Sequence, residues 1–327
     1  MGSASSRSIR RSLDVGDLLA RARDGDARAV ARLISLVEDE HAVLRDLMAA
    51  LAPYTGNAQV IGLTGSPGVG KSTSTSALVT AYRAQGLRVG VLAVDPSSPF
   101  SGGAILGDRV RMQDHATDSG VYIRSMSSRG HLGGLAAATP QAVRVLEAAG
   151  CDVVIVETVG VGQAEVEVAS LADTTLVLLA PGMGDAIQAV KAGILEIADV
   201  FVVNKADRDG ADQTVRDIKG MIALGERGPG DWRPQIVKTV ASRGEGIDDV
   251  VAAIAKHRDW LVKRGELERR RRARAAAEIE AITLATIRQR IGDHRDGALL
   301  DSLAAKVVAG SLDPYTAADE LMRGLDL

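Results

Sequence analysis

The stretch VIGLTGSPGVGKSTSTSAL, Val60–Leu78, decides how this 327-residue chain is read. An apolar run ends in a glycine-rich turn, and a lysine with several hydroxyl residues opens a segment of helical spacing. Gly65, Gly70, Lys71 and Ser72 fit G-x-x-x-x-G-K-[ST], a pattern that has chemical meaning when it joins a strand to a helix. Glycine admits backbone turns closed to other residues and puts no side chain between the backbone and an anion. From Gly65 through Ser66, Pro67, Gly68, Val69 and Gly70 the chain is expected to curl round a phosphate with its N–H groups inward. The helix behind adds its own unpaired N–H groups and positive dipole end. Lys71 is expected to reach the β- and γ-phosphates, Ser72 to ligate Mg²⁺ and Thr73 to contact the α-phosphate.

Outward from this turn, short apolar runs recur: AQVIGLT, LRVGVLAVD, CDVVIVET, TTLVLLAP and DVFVVNKAD, with QIVKTV a weaker sixth. Helical spacing separates most of them, at 71–85, 139–149, 185–197 and 211–224. Runs without polar alternation suit strands buried on both faces, and alternation of strand and helix predicts an α/β fold with a mainly parallel sheet. Segment 96–138 breaks the rhythm with many Gly, Ser, Asp and Arg residues, and long irregular segments inside domains are commonly functional. Upstream, residues 12–51 read as two helices divided at Asp24-Gly25-Asp26, with Asp26 a cap for the second. Downstream, residues 266–291 read as one long helix, and two shorter helices flank Asp313-Pro314. The expected division is a helical extension at 1–57, a nucleotide-binding domain at 58–262 and a helical arm at 263–327.

Asn204, Lys205 and Asp207 form N-K-A-D after the run DVFVV. A carboxylate at Asp207 can accept from guanine N1–H and the exocyclic amine, whereas adenine offers neither donor and would leave it unpaired. The Lys205 stem can cover the base, Asn204 can hold the loop, and a backbone N–H near Ala241–Ser242 can meet guanine O6. Glu157 ends the run VVIVET and is a candidate for holding Mg²⁺, directly or through water. Gly160 can offer its N–H to the γ-phosphate. Asp95, at the end of VGVLAVD, and Asp108, in the irregular segment, are further candidates for metal, water or switching. Val161, not glutamine, follows Gly160, so intrinsic hydrolysis is expected to be slow; Arg109, Arg111, Arg124 and Arg129 are candidate charge-stabilising fingers.

Composition narrows the partners. A net charge of −3 gives no general attraction to nucleic acid, and 2% aromatic residues give no stacking platform for single strands. Four consecutive arginines, Arg269–Arg272, point all round a helix and have glutamates nearby, which reads as a solvated or mutually paired surface. One cysteine, Cys151, excludes an intrachain disulfide and fits a reducing, cytoplasmic setting. No apolar run approaches the roughly 18 residues of a membrane span.

GSPGVGKST, VLAVDPSSPFSGGAILGDRVRM, ETVGVGQAEVEV and APGMGDAIQAVKAGILEIADVFVVNKAD together resemble the MeaB/ArgK family across residues 12–327. The resemblance implies a P-loop G domain with helical extensions at both ends and a C-terminal arm that makes a homodimer. It implies GTP/GDP and Mg²⁺ as ligands, with Asp95, Asp108 and Glu157 as metal and switch acids. It further implies a chaperone that couples GTP hydrolysis to cofactor loading and protection of adenosylcobalamin-dependent methylmalonyl-CoA mutase. Asp185, Gln188 and Lys191 would then report nucleotide state to the mutase. The alternative is a P-loop kinase or ATPase linked to basic amino acid transport, against which N-K-A-D argues through its preference for guanine.

Overall fold

The strand leading into the glycine-rich turn, β1 (Gln59–Gly65), is buried at every residue and lies at the centre of a seven-stranded parallel sheet. The computed structural model describes residues 14–95, 115, 117–127, 138–158, 164–182, 197–225, 228, 230–293 and 298–324. The other strands are β2 (Val89–Asp95), β3 (Val121–Ser127), β4 (Val153–Thr158), β5 (Thr174–Leu179), β6 (Val200–Val203) and β7 (Gln235–Lys238). Their order is β3-β2-β4-β1-β5-β6-β7. All pairs are parallel, with Leu63 opposite Glu157 on one side of β1 and Gly65 opposite Leu178 on the other. The chain leaves β1 toward β2 and later crosses from β4 to β5, so β1 stands where the winding changes direction. Ligands of open parallel sheets bind at the carboxyl ends of strands beside such a point.

Alternating residues bury both faces. Val60, Leu92, Val94, Val154 and Val156 pack with α5 (Thr139–Ala148), α6 (Ala164–Leu171) and the N-terminal helices α1 (Val15–Arg23), α2 (Ala27–Glu38) and α3 (Leu44–Leu51). Ile61, Leu63, Val91, Ile155, Leu176 and Leu178 face α4 (Lys71–Ala84) and α8 (Ile247–Lys263). Helix α7 (Ala211–Leu224) covers Phe201 and Val203 through Ile218. Full burial of each such side chain contributes about 1.5–3 kcal/mol, which explains the unbroken apolar runs.

Two expectations change. The N-terminal region holds three helices, not two, because the chain turns again at Glu40 (φ 46°) before α3. VYIRSMS, expected to be irregular, forms β3; it is an edge strand with one neighbour, and Arg124, Ser125 and Ser127 deny it the continuous apolar run of a central strand. The Asp26 cap is present, its carboxylate accepting from the Arg28 and Ala29 amides at 2.8 and 3.3 Å. The helix expected at 185–197 lies almost wholly outside the described residues.

The chain divides into two compact units, one ending at Leu267 and one beginning at Glu268. Helix α9 spans Glu266–Asp293, and within the second unit α10 (Ala298–Val308) packs against α11 (Pro314–Gly324). Among the described residues no helix is long and apolar enough to cross a membrane.

Candidate nucleotide site

The glycine turn closes against neighbours that tolerate nothing larger. Gly65 (φ 145°) has no room for a Cβ beside the Leu178 carbonyl, and Gly70 (φ 96°) has none beside the Asn204 side-chain amide. Gly70 then caps α4, so the helix begins at Lys71. Ser66 is half-buried, Pro67 and Gly68 are exposed, and Val69 is buried among the residues under the turn. Lys71 Nζ donates to the carbonyls of Gly65 at 2.7 Å and Ser66 at 3.1 Å, so the ammonium is folded back over the loop it follows. Thr73 is half-buried on the first turn of α4.

Glu157, only 5% exposed at the end of β4, accepts from Ser72 Oγ and from Thr75 Oγ1, both at 2.8 Å. Beside it Thr158 Oγ1 donates to Thr64 Oγ1 at 3.0 Å, a buried hydroxyl link between β4 and β1. Thr75 was not among the expected site residues; its signal is the three-residue spacing from Ser72, which puts both hydroxyls on the α4 face toward β4. The set fits a hard cation. Ser72 gives its hydrogen to a carboxylate, and a hydroxyl oxygen is the kind of hard donor such a cation takes. Among the described residues no three His, Cys, Asp or Glu side chains gather into a metal site by themselves. A cation here would therefore draw on Ser72, on Glu157 directly or through water, and on phosphate oxygens, the pattern of Mg²⁺.

On the other side of β1, Asn204 joins three segments. Its Nδ2 donates to Val69 O at 2.8 Å, and its Oδ1 accepts from Ala241 N at 3.0 Å and Thr239 Oγ1 at 3.2 Å. Lys205 Nζ donates to Gly68 O at 2.6 Å from a left-handed backbone (φ 57°). Asp207 accepts from Arg243 Nη2 at 3.0 Å. The short 3-10 turn Ala241–Arg243 thus brings Ser242 and Arg243 beside the N-K-A-D loop. Ala241 gives its amide to Asn204, whereas the turn's own hydrogen bonds start from Arg243 and Gly244. Sequence reasoning missed Arg243, whose only signal is its place two residues after Ala241.

Several expected residues are not brought into view. Asp95 ends β2 opposite Ser127 of β3, one residue beyond the Val94–Thr158 pair, but its side chain is outside the described set. Asp108, Gly160, Asp185, Gln188 and Lys191, and with them Arg109, Arg111 and Arg129, lie outside the described residues. Arg124 is engaged elsewhere: its Nη2 donates to Glu38 Oε2 and to Ser35 Oγ at 3.1 Å, tying β3 to α2. A cation committed to that pair is a structural tie and not a free finger. On α9, Arg272 pairs with Glu268 one turn earlier at 2.6 Å, as a solvated helix surface would.

A sequence profile described as methylmalonyl Co-A mutase-associated GTPase MeaB matches residues 30–296. A relative from Pyrococcus abyssi is 46% identical over 312 residues, covering 94% of this chain and 96% of its own. The Escherichia coli protein named GTPase ArgK is 39% identical over 261 residues, 78% of this chain and 79% of its own. A Mus musculus protein named methylmalonic aciduria type A homolog, mitochondrial, is 33% identical over 320 residues, 91% of this chain and 76% of its own. A crystal structure titled LAO/AO transport system kinase superposes with a TM-score of 0.71 at 28% identity, covering 96% of this chain and 98% of that one. With the P-loop, the N-K-A-D loop and the sheet edge that joins them, these likenesses place the chain in the MeaB family of methylmalonyl-CoA mutase-associated GTPases.

Proposed function

We propose that this chain binds and hydrolyses GTP with Mg²⁺ and uses that cycle to assist an adenosylcobalamin-dependent methylmalonyl-CoA mutase in cofactor loading and protection. The observation that carries the reading is Asn204, which ties the phosphate loop at Val69 to the base loop and to the Ala241 turn. One nucleotide laid along the carboxyl edge of the sheet would meet all three.

In this reading Lys71 exchanges its two carbonyl partners for phosphate oxygens, and the amides of the turn and of the α4 N-terminus carry the remaining charge. Ser72 and Glu157 would hold Mg²⁺, which when bound would supply neutralisation of phosphate charge. Asp207 accepts from the guanine edge, Lys205 covers its face, and the Ser242 amide meets O6, since Ala241 N is already spent on Asn204. Phosphoryl transfer asks mainly for positioning and charge neutralisation. Asp95, Asp108 and Gly160 complete the γ-phosphate side, and Asp185, Gln188 and Lys191 relay its state. Slow intrinsic turnover follows from Val161 standing where a water-orienting glutamine is absent. The helical arm forms a homodimer, supported by Ile279, Ile282 and Leu284, which are 65%, 49% and 47% exposed on α9. The mutase partnership rests on the family and on the mouse relative's name. The buried lone thiol supports a reducing, cytoplasmic setting.

Titration with labelled GDP and ADP tests the nucleotide half; equal binding of both removes the guanine argument and revives the ATP-using kinase. Recovery of purified methylmalonyl-CoA mutase on the immobilised protein, under GDP, a GTP analogue or no nucleotide, tests the partner half. Recovery that ignores nucleotide state, or no recovery at all, defeats it.

A further inference from the structure

Asp207, the carboxylate that the preceding reading assigns to the base, already has a donor of its own. Arg243 Nη2 lies 3.0 Å from Asp207 Oδ2, and Nη1 of the same guanidinium lies 3.6 Å from Glu245 Oε1. The N1–C2–N2 edge of guanine is itself a guanidine fragment, planar, with two N–H groups pointing the same way. Arginine therefore offers Asp207 the same donor pattern as the base. We propose that Arg243 competes with guanine for Asp207, and that Glu245 takes the arginine when the base binds.

The turn is built for that exchange. Arg243 and Glu245 sit two residues apart, with Arg243 N donating to Val240 O at 2.8 Å and Val240 N to Glu245 O at 3.0 Å. Gly244 and Gly246, at φ 73° and 76°, close the chain around them. With both backbones fixed, the arginine changes partner by side-chain rotation alone. Arg243, Asp207 and Glu245 are 58%, 37% and 58% exposed, so neither pairing is deeply desolvated and the exchange is nearly balanced. The consequence is a nucleotide held less tightly than its hydrogen bonds allow, and released faster.

The inference rests on guanine recognition by Asp207, and the test separates the two. Affinities and dissociation rates for fluorescent GDP and ADP are measured on the full chain for wild type, Arg243→Ala, Glu245→Gln, the double variant and Asp207→Asn. Removing the competitor is expected to tighten GDP by about two- to five-fold, the range of an exposed ion pair, through slower dissociation. ADP, which makes no use of Asp207, stays unchanged. Glu245→Gln is expected to weaken GDP, and to do nothing once Arg243 is gone. GDP affinity unchanged or reduced in Arg243→Ala overturns the proposal while leaving the base site intact, as does a Glu245→Gln effect that survives in the double variant. An Asp207→Asn protein that keeps the wild-type GDP-over-ADP ratio removes the base reading, and this proposal with it.

Discussion

Lys71 and Gly70 are adjacent but fail for different reasons when changed. Lys71 bonds two loop carbonyls, and its contribution to a nucleotide would be that of a charge-assisted hydrogen bond, about 1.5–3 kcal/mol. Lys71→Ala is therefore expected to weaken GTP by roughly ten- to a hundred-fold with little loss of fold, read by titration alongside circular dichroism. Unchanged GTP affinity and turnover would show that this loop is not the phosphate site. Gly70→Ala acts on geometry. Its Cβ meets the Asn204 amide, and its φ of 96° is strained for any side chain. Because Asn204 also holds Ala241, the damage is expected to spread from phosphate to base. GDP discrimination over ADP should fall together with affinity, whereas Lys71→Ala should spare the discrimination; a Gly70→Ala protein that loses affinity alone argues against this linkage. Lys71, Gly70 and Asn204 were readable as residue types in known spacing. The bond from Asn204 to Val69 was not, because those residues stand 135 positions apart and meet only when β1 and β6 are placed with β5 between them.

At the scale of the element, one device recurs at the edge of the sheet opposite the site. Asp152, Asp173 and Asp199 each precede a strand by one residue, and each carboxylate accepts a backbone N–H from a neighbouring strand's entry. The partners are Arg88 N at 2.8 Å, Val60 N at 3.2 Å and Thr175 N at 2.8 Å. The aspartate amides answer to the carbonyls of the same residues at 2.9, 2.8 and 3.0 Å. Each pair pins the register of a parallel strand, which has no hairpin turn to set it. Asp173 and Asp199 are 1% and 7% exposed, so replacing either with alanine strands a buried N–H and is expected to cost about 1–3 kcal/mol in urea unfolding. Asp152 is exposed, water can replace it, and its variant should lose clearly less; equal losses at all three would refute the pinning account. The repeated Cys-Asp or Ala-Asp before an apolar run stood in the sequence, but only the paired strands give it a role.

A second element-scale contact joins α4 to the approach to β3. Arg83 on α4 holds Asp118 at 2.8 and 2.9 Å, and Asp118 also accepts from Gly120 N at 2.8 Å. Hydrogen bonding from Arg83, then from the Gly120 amide, lowers the Asp118 carboxyl below its usual 3.8. A depressed folded-state value means that the contribution is full above the unfolded value and is lost as pH falls through the folded one. The stability difference between wild type and Asp118→Asn should therefore be greatest near neutrality and close up below about pH 4 in denaturant melts repeated across pH. A difference that persists undiminished into acid would show that the pair acts through shape and not charge. His115, whose Nε2 lies 3.2 Å from Ser76 Oγ, meets the same helix, so α4 anchors this approach at two places.

For the whole molecule, the lone cysteine serves as a reporter. Cys151 is 5% exposed beneath α5, and burial pushes its thiol up to about 12. An aromatic disulfide reagent near pH 8 should label it only as fast as the first unit opens, and labelling along a urea series should follow the loss of sheet circular dichroism. Complete labelling of the native protein within minutes would contradict the packing around β2 and α5. From residue order alone came the α/β class, six of the seven strands, the phosphate turn and the guanine tetrapeptide. Each is local, because a buried strand needs an apolar run and an anion cradle needs glycines at set spacing, whatever lies elsewhere in the chain. Tertiary structure alone decided that VYIRSMS is an edge strand, that Glu157 is held by two hydroxyls of α4, that Arg124 serves α2, and that Arg243 shares Asp207. Those are pairings between distant residues, and which partner a carboxylate or guanidinium takes depends on what the packed sheet brings within about 3 Å of it.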